Sequence, residues 1–207
     1  RSTIAGTSSF TTDVDNQAIT LDNTSNVFTG AVSLNTSGTS GNATLTNNNA
    51  VTLSTSTVGG DLAVTVGGDN SLNVTGAGSA GGAISLLADD DIIFTAAGDL
   101  TTTTGNITLT ADNDSDNNGS GGALTMVDGT VFDAGSGTLA LSADEDITLG
   151  LLETTSSSDT AVTLTSTSGG VFDGDANASF SNTTIIVGSA SDSVLDIIAE
   201  SGRLVVD

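Results

Sequence analysis

Cysteine, proline, histidine, tryptophan, tyrosine and lysine are all absent from the 207 residues, and Arg1 and Arg203 are the only basic side chains. Each absence excludes something. Without cysteine there is no disulfide framework and no thiolate metal site, and nothing that reports on redox compartment. Without histidine, cysteine and lysine, the usual general bases, thiol nucleophiles and imine formers are gone. Without proline, every backbone amide is free to donate in a strand ladder. No apolar run approaches the ~20 residues that cross a bilayer, so membrane insertion is not expected. A net charge of −23 argues against nucleic acid and anionic membrane surfaces as partners.

What remains is a narrow alphabet of Gly, Ser, Thr, Asn and Asp, with Ala, Val, Leu and Ile. Disordered chains lack regularly spaced aliphatics, and this one carries them throughout. Val32/Leu34, Val51/Leu53, Leu62/Val64/Val66, Leu72/Val74, Ile84/Leu86 and Ile107/Leu109 each bracket a small or polar residue. So do Leu124/Met126, Leu139/Leu141, Ile147/Leu149, Val162/Leu164, Ile185/Val187 and Leu204/Val206. Such alternation gives strands with one dry and one wet face. Clusters of Gly, Asn, Asp and Ser between them supply turns. The chain is predicted to be all-β.

Three motifs return at one offset, 40. Gly81-Gly82-Ala83-Ile84 reappears as Gly121-Gly122-Ala123-Leu124. Asn106-Ile107-Thr108-Leu109 reappears as Asp146-Ile147-Thr148-Leu149, and Val131-Phe132-Asp133 as Val171-Phe172-Asp173. A constant offset is a property of stacked coils. Taken as two coils of ~20 residues, it predicts a β-solenoid of about ten coils, ~50 Å long at ~4.8 Å per coil. Phe94, Phe132 and Phe172 would then stack internally, two coils apart. An all-β sandwich is the alternative, but sandwiches seldom repeat at fixed spacing. Residues 1–207 are expected to form one solenoid segment. The chain opens on Arg1 without a leader-like stretch and closes on strand-like Leu204-Val205-Val206, so a fragment of a much larger repeat protein is expected.

Residues 18–66, through Phe28-Thr-Gly-Ala-Val-Ser-Leu34, Ala50-Val-Thr-Leu53 and Val58-Gly-Gly-Asp-Leu62, resemble the repeats of filamentous-haemagglutinin-type exoproteins. Residues 79–175, with Ile107-Thr-Leu-Thr-Ala-Asp112 and Gly135-Ser-Gly-Thr-Leu139, are similar to repeats of very large bacterial surface proteins of that sort. The resemblance implies a right-handed parallel β-helix, export to the extracellular bacterial surface, and a part in adhesion or biofilm. The amino-terminal secretion domain of that family is not seen. The calcium-binding Gly-Gly-x-Gly-x-Asp nonapeptide of another secreted class is not matched.

Acidic residues crowd the middle of the chain, 16 of the 25 falling between Asp89 and Asp175. The best metal-ligand candidates are Asp112, Asp114, Asp116 and Asn118, which alternate like the first ligands of a calcium loop; hard oxygen donors suit Ca²⁺. Asn117 stands where an EF-hand needs glycine and Ala123 where it needs glutamate, so this is no EF-hand. Asp89 with Asp91, and Asp144 with Asp146, are weaker candidates, and solvated loops explain all of these groups as well. Calcium is therefore the one cofactor in view. Acidic pairs could serve a polysaccharide-cleaving β-helix enzyme, but the chain offers no histidine or lysine and few aromatic sugar platforms. Outward Thr52, Thr108, Thr148 and Thr163 suggest an ice-binding ladder, broken by Ser33, Asn73, Ser85 and Ala140.

The expected function is a structural or adhesive rod, not an enzyme, that holds a binding tip or surface away from the cell. A self-assembling extracellular filament is the alternative and a polysaccharide-acting enzyme a minor one. Self-association, end to end or side by side, and an unidentified receptor are the expected partners.

Overall fold

The computed structural model describes residues 1–114 and 121–174, together with the backbone of two later strands, Ile185–Val187 and Leu195–Ala199. It is a parallel β-solenoid. Every strand pair is parallel, and each strand bonds its counterpart one coil away rather than its neighbour in sequence, which excludes a sandwich. No helix occurs among the described residues.

Each coil contributes one strand to each of three faces. The first face stacks Val51–Leu53, Leu72–Val74, Ile92–Phe94, Leu124–Met126, Ile147–Leu149 and Val171–Asp173. The second stacks Ser56–Val58, Gly78–Ala80, Leu100–Thr102, Val131–Asp133, Leu151–Thr154 and Ile185–Val187. The third is tallest, running from Ile19–Leu21 through Ala43–Asn47, Leu62–Val66, Ile84–Ala88, Ile107–Ala111, Leu139–Ala143 and Val162–Ser166 to Leu195–Ala199. At the amino-terminal end a single strand, Ala31–Asn35, spans the first two faces.

The expected alternation is borne out. On the third face Leu62, Val64 and Val66 are buried while Ala63 and Thr65 are partly exposed, and the next strand repeats this with Ile84, Leu86 and Ala88. Vertical columns of aliphatics therefore fill a narrow core. Each such side chain contributes about 1.5–3 kcal/mol by leaving water.

Two quantitative expectations need correction. The eight strands of the third face make seven steps, not ten coils, so the described stack is roughly 34 Å tall at ~4.8 Å per step. Steps read from the register of the third face are 19 to 24 residues, except 32 where Ile107 meets Leu139 and 33 where Val162 meets Leu195. The offset of 40 is therefore not a coil multiple. It carries Ile84 on the third face to Leu124 on the first, and Phe132 on the second face to Phe172 on the first. What recurs at that spacing is a strand with its entering turn. Any face accepts such a unit, because each needs the same aliphatic-x-aliphatic pattern.

The aromatic stack is likewise revised. Phe94 and Phe132 are buried in consecutive coils on adjacent faces, edge to face, with ring centroids 4.7 Å apart. Phe172 stands over Thr148 in the outward register and is partly exposed. Phe10 instead meets Phe28 at 5.7 Å, near the amino-terminal end.

Candidate functional site: the acidic corner

Three corners join the faces, and carboxylates gather at one of them. The turns leading from the third face to the first (67–71, 89–91, 112–123 and 144–146) carry Asp69, Asp89, Asp90, Asp91, Asp112, Asp114, Asp144, Glu145 and Asp146. Main-chain bonds stack these turns on one another. The Asp89 amide donates to the Val66 carbonyl, Asp112 to Asp90, Glu145 to Gly122, and Ser168 to Asp144. Groups separated by more than twenty residues thus share one edge of the rod.

Most of these side chains have structural work. Asp89 accepts the Gly68 amide at 2.8 Å, Asp91 the Ala123 amide at 2.9 Å, and Asp146 the Gly170 amide at 2.9 Å. Asp90 accepts the Ser71 hydroxyl at 2.7 Å, and Asp144 the Ser168 hydroxyl at 2.9 Å. In each case the partner lies in an adjacent coil. The carboxylate supplies an acceptor to a corner donor where the ladder is interrupted, which matters because an unpaired amide is costly.

The candidate group Asp112, Asp114, Asp116 and Asn118 sits in the insertion that lengthens one coil to 32 residues. Asp112 takes a left-handed backbone conformation (φ 57°) as the chain leaves the coil, and Asp114 is exposed. Asp116 and Asn118 lie outside the described residues. The chain returns through Gly121 and Gly122, both at positive φ. Gly122 is wedged between Asp112 and Asp144, whose Cβ atoms lie 2.9 and 3.3 Å from where its own would be. The corner thus brings the Asp112 turn against both weaker candidate pairs. Among the described residues, however, no three acidic groups are arranged to hold a metal ion.

Sequence reasoning passed over several residues of the same kind. Asn42 accepts the Asp61 amide at 2.9 Å, Asp61 the Ala83 amide at 2.8 Å, Asp99 the Val131 amide at 2.8 Å, and Asn106 the Thr138 amide at 2.9 Å. Each of the four, like Asp91 and Asp146, is the residue just before a strand. Asp or Asn directly ahead of a short strand-forming run that opens on an apolar residue was the available signal.

The outward threonines also sort differently. Thr52 and Thr148 belong to the first face, whereas Thr108 and Thr163 belong to the third.

Fold and corner together define a β-solenoid repeat protein whose Asx residues bracket successive coils. No protein-family model, curated protein or solved structure matches the chain.

Proposed function

We propose that this chain is a non-catalytic rod segment of a secreted bacterial cell-surface protein of the filamentous-haemagglutinin kind, acting as stalk or adhesive surface, including in biofilm. The observation that supports it most is the uninterrupted third face. Five-residue strands stay in register from coil to coil there, so load along the rod is shared by many backbone hydrogen bonds. The acidic corner adds a line of negative charge that holds the like corners of neighbouring rods apart. Calcium is the cation that corner would take, through oxygen donors of the Asp112 turn and its neighbours.

Antibodies against the purified chain should label intact source cells. Labelling only after lysis would sink the surface reading. Negative-stain images of the purified chain should show short particles, and long fibres would replace the stalk with the filament.

A further inference from the structure

The third face carries a surface that the rod reading leaves unused. From Ala43–Asn47 to Val162–Ser166 its outward positions are Thr44 and Thr46, Ala63 and Thr65, Ser85 and Leu87, Thr108 and Thr110, Ala140 and Ser142, and Thr163 and Thr165. None of these is charged, in a molecule of net charge −23, and the uncharged run ends where the next strand sets Asp196 over Thr163. Both columns are in register and flanked by two unlike corners. The strands run from a corner rich in glycine, whose turns 36–42, 59–61, 81–83, 103–106, 134–138 and 155–161 hold only Asp61 and Asp159 as acidic residues, to the acidic corner.

We propose that a second copy of this chain covers this face, with the two rods side by side and pointing the same way. The proposal extends beyond the cell-surface reading and does not rest on it. Charge rules out the second face, where Asp133 and Glu153 point outward, and sets the orientation. Width favours the third face over the equally uncharged first, whose strands are mostly three residues long. Two strongly negative molecules approach most cheaply where neither carries charge. A two-fold axis parallel to the rods sets each acidic corner over its partner's glycine corner. An axis along the strands would instead set acidic corner on acidic corner. A patch six strands tall and five residues wide covers about 500 Å² per copy, from strand spacings of ~4.8 and ~3.3 Å. The total, about 1,000 Å², is at the lower limit for specific association. The pairing is therefore weak in this segment and strengthens with every added coil.

Sedimentation of the intact chain across a wide concentration range should show a monomer–dimer equilibrium that tightens as salt is added, because salt screens the flanking charge. Leu87→Asp should weaken dimerisation about tenfold or more, since a carboxylate trapped on the face finds no partner. Thr101→Asp, on the second face, should leave it unchanged. Parallel two-fold pairing opposes the two columns at equal height. Because the chain has no cysteine, a mixture of the Ser85→Cys and Leu87→Cys variants should form mixed disulfides much faster than either variant alone. A chain that stays monomeric at every concentration and salt overturns the proposal. Equal weakening by both Asp substitutions, or homodisulfides that outpace mixed ones, does so too. A monomer that shapes ice crystals would assign the face to ordered water instead.

Discussion

The glycine corner and the acidic corner solve the same problem in opposite ways. Both must turn a chain through a sharp angle and leave the turn stackable at ~4.8 Å. At the glycine corner the turns stack backbone on backbone. A Cβ on Gly105 would run into the Gly82 carbonyl, one on Gly81 into the Gly59 carbonyl, and one on Gly137 into the Gly105 carbonyl. Side chains bracket strand entry at both corners, through Asn42, Asp61 and Asn106 at the glycine corner. At the acidic corner, carboxylates inside the turns also reach to donors of adjacent coils. The first mode tolerates no added atom. The second accommodates a longer connection: twelve residues separate Ala111 from Leu124, while the strands on either side keep their register.

The largest effect that would test this contrast is steric. Gly105→Ala should destabilise the fold by about 3 kcal/mol, measured as a fall in urea midpoint, because the obstructing atom is main chain in the coil beneath. A loss below about 0.5 kcal/mol would show that the glycine turns are not close-stacked. Next come the side-chain brackets. Asp91→Ala and Asp99→Ala should each cost about 2 kcal/mol by leaving the Ala123 or Val131 amide without its acceptor. No loss at either position would mean water serves those amides equally well.

Smaller effects separate acceptor from charge. Millimolar calcium should raise the thermal midpoint by a stabilisation of about 1–2 kcal/mol relative to chelator, by binding the folded chain alone. Combining Asp112→Asn with Asp114→Asn should remove most of that rise. Identical melting in calcium and chelator would reduce the corner to hydrogen bonding and solubility. The smallest change expected is Asp146→Asn. It keeps an oxygen for the Gly170 amide and relieves repulsion from its acidic neighbours, so stability should shift by less than about 0.5 kcal/mol. A loss as large as that of an alanine would show that the charge itself is required.

How much of this was legible follows from which face a residue occupies. The first and third faces announce themselves through pairs such as Leu72/Val74 and triplets such as Leu62/Val64/Val66, which bury aliphatics at every second position. The second face was nearly invisible. Its inward sites mix small or polar groups, Ser56, Gly78, Ala80, Thr102 and Thr154, with apolar ones, Val58, Leu100, Phe132 and Leu152, so no single pattern repeats from coil to coil. At Gly78 the core is tight, since a Cβ there would lie 3.0 Å from Leu100 Cδ2. Hydroxyls fit because they bond locally, Thr102 to the Gly105 carbonyl at 2.5 Å and Thr154 to the Gly137 carbonyl at 2.6 Å. With the second face hard to read, strands could not be assigned to faces, and the offset of 40 was taken for a vertical period. The acidic groups were found by density alone, which located the corner but gave no hint that their acceptors were committed to the backbone. That role depended on the residue one step ahead of each strand, including Asp61 and Asp99, which stand in no cluster.

The strand-entry brackets also have a direction. Asn42 serves Asp61, Asp61 serves Ala83, Asp91 serves Ala123, Asp99 serves Val131, Asn106 serves Thr138 and Asp146 serves Gly170. In all six the acceptor belongs to the earlier coil and the donor to the later one. A chain delivered amino terminus first therefore finds the oxygen it needs already in place, on the coil just finished. Each finished coil so presents acceptors to the strand entry of the next, while the Asp89 and Asp90 carboxylates, bonded to Gly68 and Ser71, reach back the other way.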